Sequence, residues 1–140
     1  MDSTPLRTLL EAWHDRLLAV TEAEAQEVVG TRWSRKELLG HLIDSAANNH
    51  QRFIRLQQGD LQGLAGYAQE HWVAAGQYQR AAWSDLVALW WQYHRQLALI
   101  IDGIDPACGG RVWQEGGVDL EALVLDYPRH QLHHLERLRL

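Results

Sequence analysis

The chain is poor in the residues that build covalent or extended frameworks. Its single cysteine, Cys108, cannot close an internal disulfide and excludes a cysteine-rich metal cluster. A reducing, cytoplasmic setting suits that usage. Lys36 is the only lysine, and no block of Lys and Arg occurs. With a formal charge of −5, this argues against nucleic acid as a partner. No apolar run approaches the ~20 residues of a membrane span, so no membrane association is expected. The opening Met1-Asp2-Ser3-Thr4-Pro5 is polar and acidic, unlike a signal peptide. No segment alternates like a strand, no repeat is visible, and Cys108-Gly109-Gly110 lacks the spacing and lysine of a phosphate loop.

What is present is helical periodicity. The 140 residues suit one domain, 1–140, able to bury roughly two-thirds of its unfolded surface. Leu6, Leu9, Leu10, Trp13, Leu17 and Val20 set a first helix over Pro5–Val29, with a possible interruption at Thr21 and an end at Gly30. The second starts at a capping box, Ser34 and Glu37, and runs through Leu38, Leu42, Ala46, Phe53 and Leu56 to about Gly59. A long looser stretch, Asp60–Ala82, holds at most a short helix at Gln69–Gln79 and reads as a functional loop. The third helix runs from Ser84 to Asp102, and the fourth from its N-cap Asp119 to Leu138. Pro128 is expected to kink or restart the last one. The expected fold is all-α, an antiparallel four-helix bundle with a long loop between helices two and three. Trp83, Trp90 and Trp91 are more bulk than one stripe buries, which predicts a homodimer.

The chemistry lies in the eight histidines. His130 and His134 stand at i and i+4, on one side of a helix, where two imidazoles can bind one ion. His133 is rotated about 60° from His130 and is a competing nitrogen. Far upstream, His41 belongs to a polar stripe, Glu37, His41, Ser45, Asn48 and Arg52, beside an apolar face. The functional reading of this stripe is the polar wall of a cleft. His41 is its ligand, and Asn48 or Arg52 faces a substrate and fixes an anionic or carbonyl group. Asp44 is a further candidate, as support for His41 or as an extra ligand. His50 points away, His94 reads as a polar edge, and His71 lies in the long loop. Glu11-x-x-His14 has no second copy, which argues against a di-iron bundle.

The segment Trp33-Ser34-x-x-Glu37-Leu38-Leu39-Gly40-His41-Leu42-Ile43-Asp44, with the terminal His130-x-x-x-His134, resembles the DinB/YfiT-like bundle proteins over nearly the whole chain. That resemblance implies a four-helix bundle with an unusual connection. It implies a divalent ion, nickel, zinc or iron, held by His41, His130 and His134. It also implies activity of the kind found among relatives, thiol-dependent transfer or isomerisation with a low-molecular-weight thiol.

A three-imidazole site would lower the pKa of a water or thiol. A small molecule would enter beside the long loop, past Tyr67, His71 and Trp72. Three classes of function follow. The first is a metal-dependent enzyme, a thiol-dependent transferase or a hydrolase. The second is a metal- or small-molecule-binding bundle without turnover. The third is a structural bundle with incidental histidines.

Overall fold

The computed structural model describes residues 1–30 and 32–140. Four long helices carry the core: α1 (Thr4–Leu18), α3 (Arg35–Leu56), α5 (Trp83–Asp102) and α6 (Leu120–Glu136). Two short helices, α2 (Glu22–Ala25) and α4 (Gln69–Ala75), lie in the connections. Two small antiparallel hairpins, β1 (Val28–Val29) with β2 (Trp33–Ser34) and β3 (Val112–Trp113) with β4 (Val118–Asp119), also lie there. The four-helix bundle expected from the periodicity is the observed fold.

The helix starts follow local chemistry. The Ser34 hydroxyl accepts from the Glu37 backbone N–H, and the Glu37 carboxylate accepts from the Ser34 backbone N–H, both at 3.1 Å. Asp119 caps α6 by accepting from the Ala122 N–H at 2.9 Å. Thr21 and Glu24 form a second capping box that starts α2. The interruption read at Thr21 is present, but the continuation is shorter than expected: α2 ends at Ala25, and Val28–Val29 is a strand. The hairpins are too short for alternation to reveal them. Helix α6 stays helical through Pro128 and does not restart there.

The direction of each helix follows from its end contacts. Ser3 donates to Asp102 through its backbone N–H (2.9 Å) and hydroxyl (2.8 Å), so α1 starts where α5 ends. The Trp83 indole N–H donates to the Leu17 carbonyl at 2.7 Å at the opposite end. These two helices are antiparallel. Lys36 donates to the Ala81 carbonyl at 2.6 Å and pairs with Glu22, which places the start of α3 beside the start of α5. Thus α3 and α5 run parallel. Each of α1 and α3 packs against both α5 and α6, so the consecutive helices α1 and α3 occupy opposite corners. The 22-residue α3 rises about 33 Å, and the chain must travel that distance back before α5 can begin. The long stretch after α3 is this crossover, with α4 laid against α3.

Most tryptophans belong to the core. Trp13, Trp83, Trp90 and Trp113 are buried, and His14 stacks on Trp91 at 4.0 Å. Of the three tryptophans that suggested a homodimer, Trp83 and Trp90 are buried and Trp91 is half-buried. His94 is also buried rather than at a polar edge. Its Nδ1–H donates to the Trp90 carbonyl at 2.7 Å, and the Tyr127 hydroxyl donates to Nε2 at 2.8 Å. Gln131 bridges Tyr127 and the Trp90 indole at 3.3 Å each. Among the described residues, no helix is long and apolar enough to cross a membrane.

Gly40 is the close-approach point of α3. A Cβ there would meet the Tyr78 ring at 2.1 Å. Helix propensity alone would make Gly40→Ala stabilising by up to ~1 kcal/mol. Overpacking costs about 1–3 kcal/mol and should win, because the Tyr78 hydroxyl is tied to Asp44. Denaturant unfolding of Gly40→Ala is therefore expected to show a net loss of stability. A gain would mean that Tyr78 moves away freely.

Candidate metal centre and its cleft

Three imidazoles converge where the start of α3 meets the end of α6. His41 lies in the second turn of α3, and His130 and His134 lie in the last turns of α6. Each offers a ring nitrogen, and the three nitrogens lie within 4.8 Å of one another. The Nε2 atoms of His130 and His134 are 3.2 Å apart. Two nitrogens sharing one tetrahedral ion at ~2.1 Å would stand ~3.4 Å apart, so this pair is already near that spacing.

Local sequence explains the convergence. The Ser34–Glu37 capping box fixes the first turn of α3. The next residue, Arg35, donates through Nε to the Leu138 carbonyl at 2.9 Å and through Nη1 to the Glu24 carbonyl at 2.8 Å. This ties the end of α6 to the start of α3, and buried Leu135 and Leu138 seal the joint. The Trp33 ring lies against His41, with centroids 5.1 Å apart.

His41 is fully buried, and neither ring nitrogen has a hydrogen-bond partner among the described residues. Burial, with the charges of His130 and Arg32, pulls its pKa to about 4. Burial and the neighbouring His41, His130, His133 and Arg137 pull His134 to about 3. Burial and His133 lower His130 as well. All three imidazoles are therefore neutral at pH 7, the form that donates a lone pair to a metal. The orphaned nitrogens, the spacing and the neutral donors all fit a divalent ion.

The other histidines are elsewhere. His133 is exposed, and its ring touches His134 from outside the group. His50 bonds the Tyr93 hydroxyl at 2.8 Å on the α5 side. His71 is exposed on α4.

A cleft of about 210 Å³ opens beside His130, along the seam of α3 and α6. Ser45, Asn49, Arg52, Tyr67 and Tyr127 line it with His130. Arg52 and Tyr67 are thus where the polar stripe and the loop placed them. Asn48 does not line the cleft: one residue further along α3, Asn49 takes that position, and the amides of both donate to the carbonyl four residues back at 2.9 Å. Asp44 is buried and accepts from the Tyr78 hydroxyl through one oxygen, while its other oxygen has no partner among the described residues. Burial raises its pKa, against the lowering effect of the Tyr78 bond. Trp72 backs Tyr67 edge-on at 5.5 Å without lining the cleft. A second opening of about 400 Å³ reaches His134 from the other side, past Trp33, Arg32, Arg137 and Arg139. Sequence reasoning missed Tyr78, Asn49 and Tyr127, since nothing in the local pattern of the first points at α3.

The buried imidazoles make the metal-free protein acid-sensitive. His41, His134 and His94 have folded pKa values of about 4, 3 and 4 against an ordinary 6.5. Below 6.5 the unfolded chain binds protons that the folded chain refuses, so the stability these groups contribute falls as pH drops from 6.5 to about 3. Thermal melts of metal-free protein should show this decline, with a shallower slope in His41→Ala. Identical slopes would show that His41 is not held neutral by burial.

No family model matches the sequence, and no curated protein matches it. Among solved structures the chain is similar to YfiT from Bacillus subtilis, a probable metal-dependent hydrolase with an unusual four-helix bundle topology. The TM-score is 0.82 at 20% identity, covering 98% of this chain and 83% of that one. At that identity the likeness is one of fold, and the YfiT-like bundle that the Trp33–Asp44 segment and the terminal histidine pair resembled is the fold this chain has.

Proposed function

We propose that the chain is a divalent-metal-dependent enzyme. His41, His130 and His134 hold the ion, and the substrate is a small molecule seated in the cleft beside His130. The observation that carries this reading is His41, a buried imidazole with both nitrogens unpartnered among the described residues. Leaving such a group unsatisfied costs about 1–3 kcal/mol, which an ion would relieve. Nickel, zinc and iron all accept imidazole donors, and three protein ligands leave a side open. An ion so held supplies Lewis acidity that lowers the pKa of a water or thiol on its open side.

The protein's own contribution is placement. Arg35 and the capping box set the distance between α3 and α6. Burial keeps the three imidazoles neutral. Tyr67, with Trp72 behind it, walls the cleft from the crossover side. Asp44 anchors Tyr78 over Gly40, which locates that wall, and Asn48 acts on the backbone of its own helix.

Water as the nucleophile makes the enzyme a hydrolase, the reading that the likeness to YfiT favours. A low-molecular-weight thiol makes it a transferase, and a separate observation favours that reading. The histidines are reached from two sides, through the cleft at His130 and the larger opening at His134, which suits two substrates. Metal binding without turnover is the remaining alternative.

Elemental mass spectrometry on protein purified without an affinity tag tests the common core. About one divalent ion per chain is expected, lost in His41→Ala and His134→Ala with helicity retained. Wild type that takes up no nickel, zinc or iron, or variants that keep the ion, would contradict it. Turnover of ester or amide panels without thiol would favour the hydrolase. Turnover that requires thiol would favour the transferase.

A further inference from the structure

We infer that the cleft beside His130 is a carboxylate-binding site anchored by Arg52, and that its ligand is a small organic monoanion whose reacting group lies towards the histidines. The inference rests on reading that cleft as the substrate site and names the substrate class.

Arg52 is 7% exposed, yet no carboxylate of the described residues lies within salt-bridge distance of it. Its Nε is buried without a partner. Its one hydrogen bond among the described residues, from Nη1 to the Asn49 Oδ1, is 3.5 Å long, beyond the usual range. The Trp113 ring covers one face of the guanidinium, 3.9 Å from Cζ, and is itself fixed by its indole N–H donating to the Leu64 carbonyl at 2.7 Å. Arginine keeps its proton in proteins, so the group is a permanent buried cation. Desolvating an unpaired charge is costly, and the cation–π contact with Trp113 offsets only part of that cost. A well-packed apolar side chain would be cheaper at this place. The missing partner is planar and acceptor-only, which describes a carboxylate gripped by the two-pronged guanidinium.

The rest of the lining sets the charge and size of the ligand. Ser45, Asn49, Tyr67 and Tyr127 are neutral hydrogen-bonding groups. Asp126, at the rim, has a 70% exposed side chain and pairs with Arg129 at 3.5 Å. One fixed positive charge therefore faces the cavity, which balances a monoanion. A phosphate dianion would leave a charge unmatched. The cleft, at about 210 Å³, lies below the ~300 Å³ at which drug-sized sites begin. Arg52 lies three turns beyond His41 on α3, and Arg52 and His130 line the same small cleft. The carboxylate and the reacting group are thus a few bonds apart in one small molecule.

Thermal-shift and calorimetric titrations of the metal-free full-length chain test this with acetate, butyrate, butyramide and inorganic phosphate. Butyrate should raise the melting temperature with dose, while butyramide and phosphate should not. Arg52→Gln should lose the butyrate response, and Arg52→Lys should weaken it at least tenfold by losing the two-pronged grip. Without ligand, Arg52→Gln should melt at or above wild type, because a buried unpaired charge is gone. A lower melting temperature, or failure to fold, would make Arg52 a packing residue and overturn the inference. So would an unchanged butyrate response in either variant, equal shifts by phosphate or butyramide, or no shift at all. The metal reading stands or falls separately: His134→Ala should lose the ion and still bind butyrate.

Discussion

Everything at the candidate centre depends on the docking of the end of α6 against the first turns of α3. His41 and His134 are 93 positions apart in the chain, and only this joint makes them neighbours. Its chemistry is modest: a capping box, one arginine spanning two carbonyls, and two buried leucines. The joint nevertheless places three imidazoles with little freedom, because each sits on a long helix whose other contacts are fixed by the core. A site built on such elements is held more tightly than one built on loops.

Helix α3 carries three groups left uncompensated among the described residues, His41, one oxygen of Asp44, and Arg52. Neutral His41 presents one free lone pair, and Arg52 presents N–H groups with hardly any acceptor. Buried polar groups are satisfied in most proteins, so three exceptions on one helix, His41, Asp44 and Arg52, are the main sign that this bundle is more than a scaffold. By contrast the Trp90–Gln131–Tyr127–His94 ring shows the chain satisfying a buried imidazole completely when it serves packing. The comparison between His94 and His41, both fully buried, separates a structural histidine from one available to a ligand.

Much of this was legible in the sequence. Ser34 with Glu37, Pro5 and Asp119 mark helix starts by short-range chemistry, and the four apolar stripes give the bundle. The i, i+4 histidines and the polar stripe of α3 pointed to the two helices on which the three imidazoles converge. What was not legible depends on other elements. The parallel pairing of α3 and α5 leaves no mark in either helix, so the crossover resembled a free loop. Both Asn48 and Asn49 fit helical spacing from Ser45, and only the neighbouring helices decide that Asn49 faces the cleft. His94 looked like an edge residue because its partners, Tyr127 and the Trp90 carbonyl, are distant or backbone groups. Tyr78 contacts Gly40 and Asp44 across the crossover, which no local pattern records.

The central claim is that three imidazoles from two distant helices hold one ion. X-ray absorption spectroscopy of the zinc-loaded, untagged protein tests it most directly. The account predicts a first shell with three imidazole nitrogens at ~2.0–2.1 Å and lighter donors completing it. A shell with one imidazole or none, or one that includes the Cys108 sulfur, would contradict it.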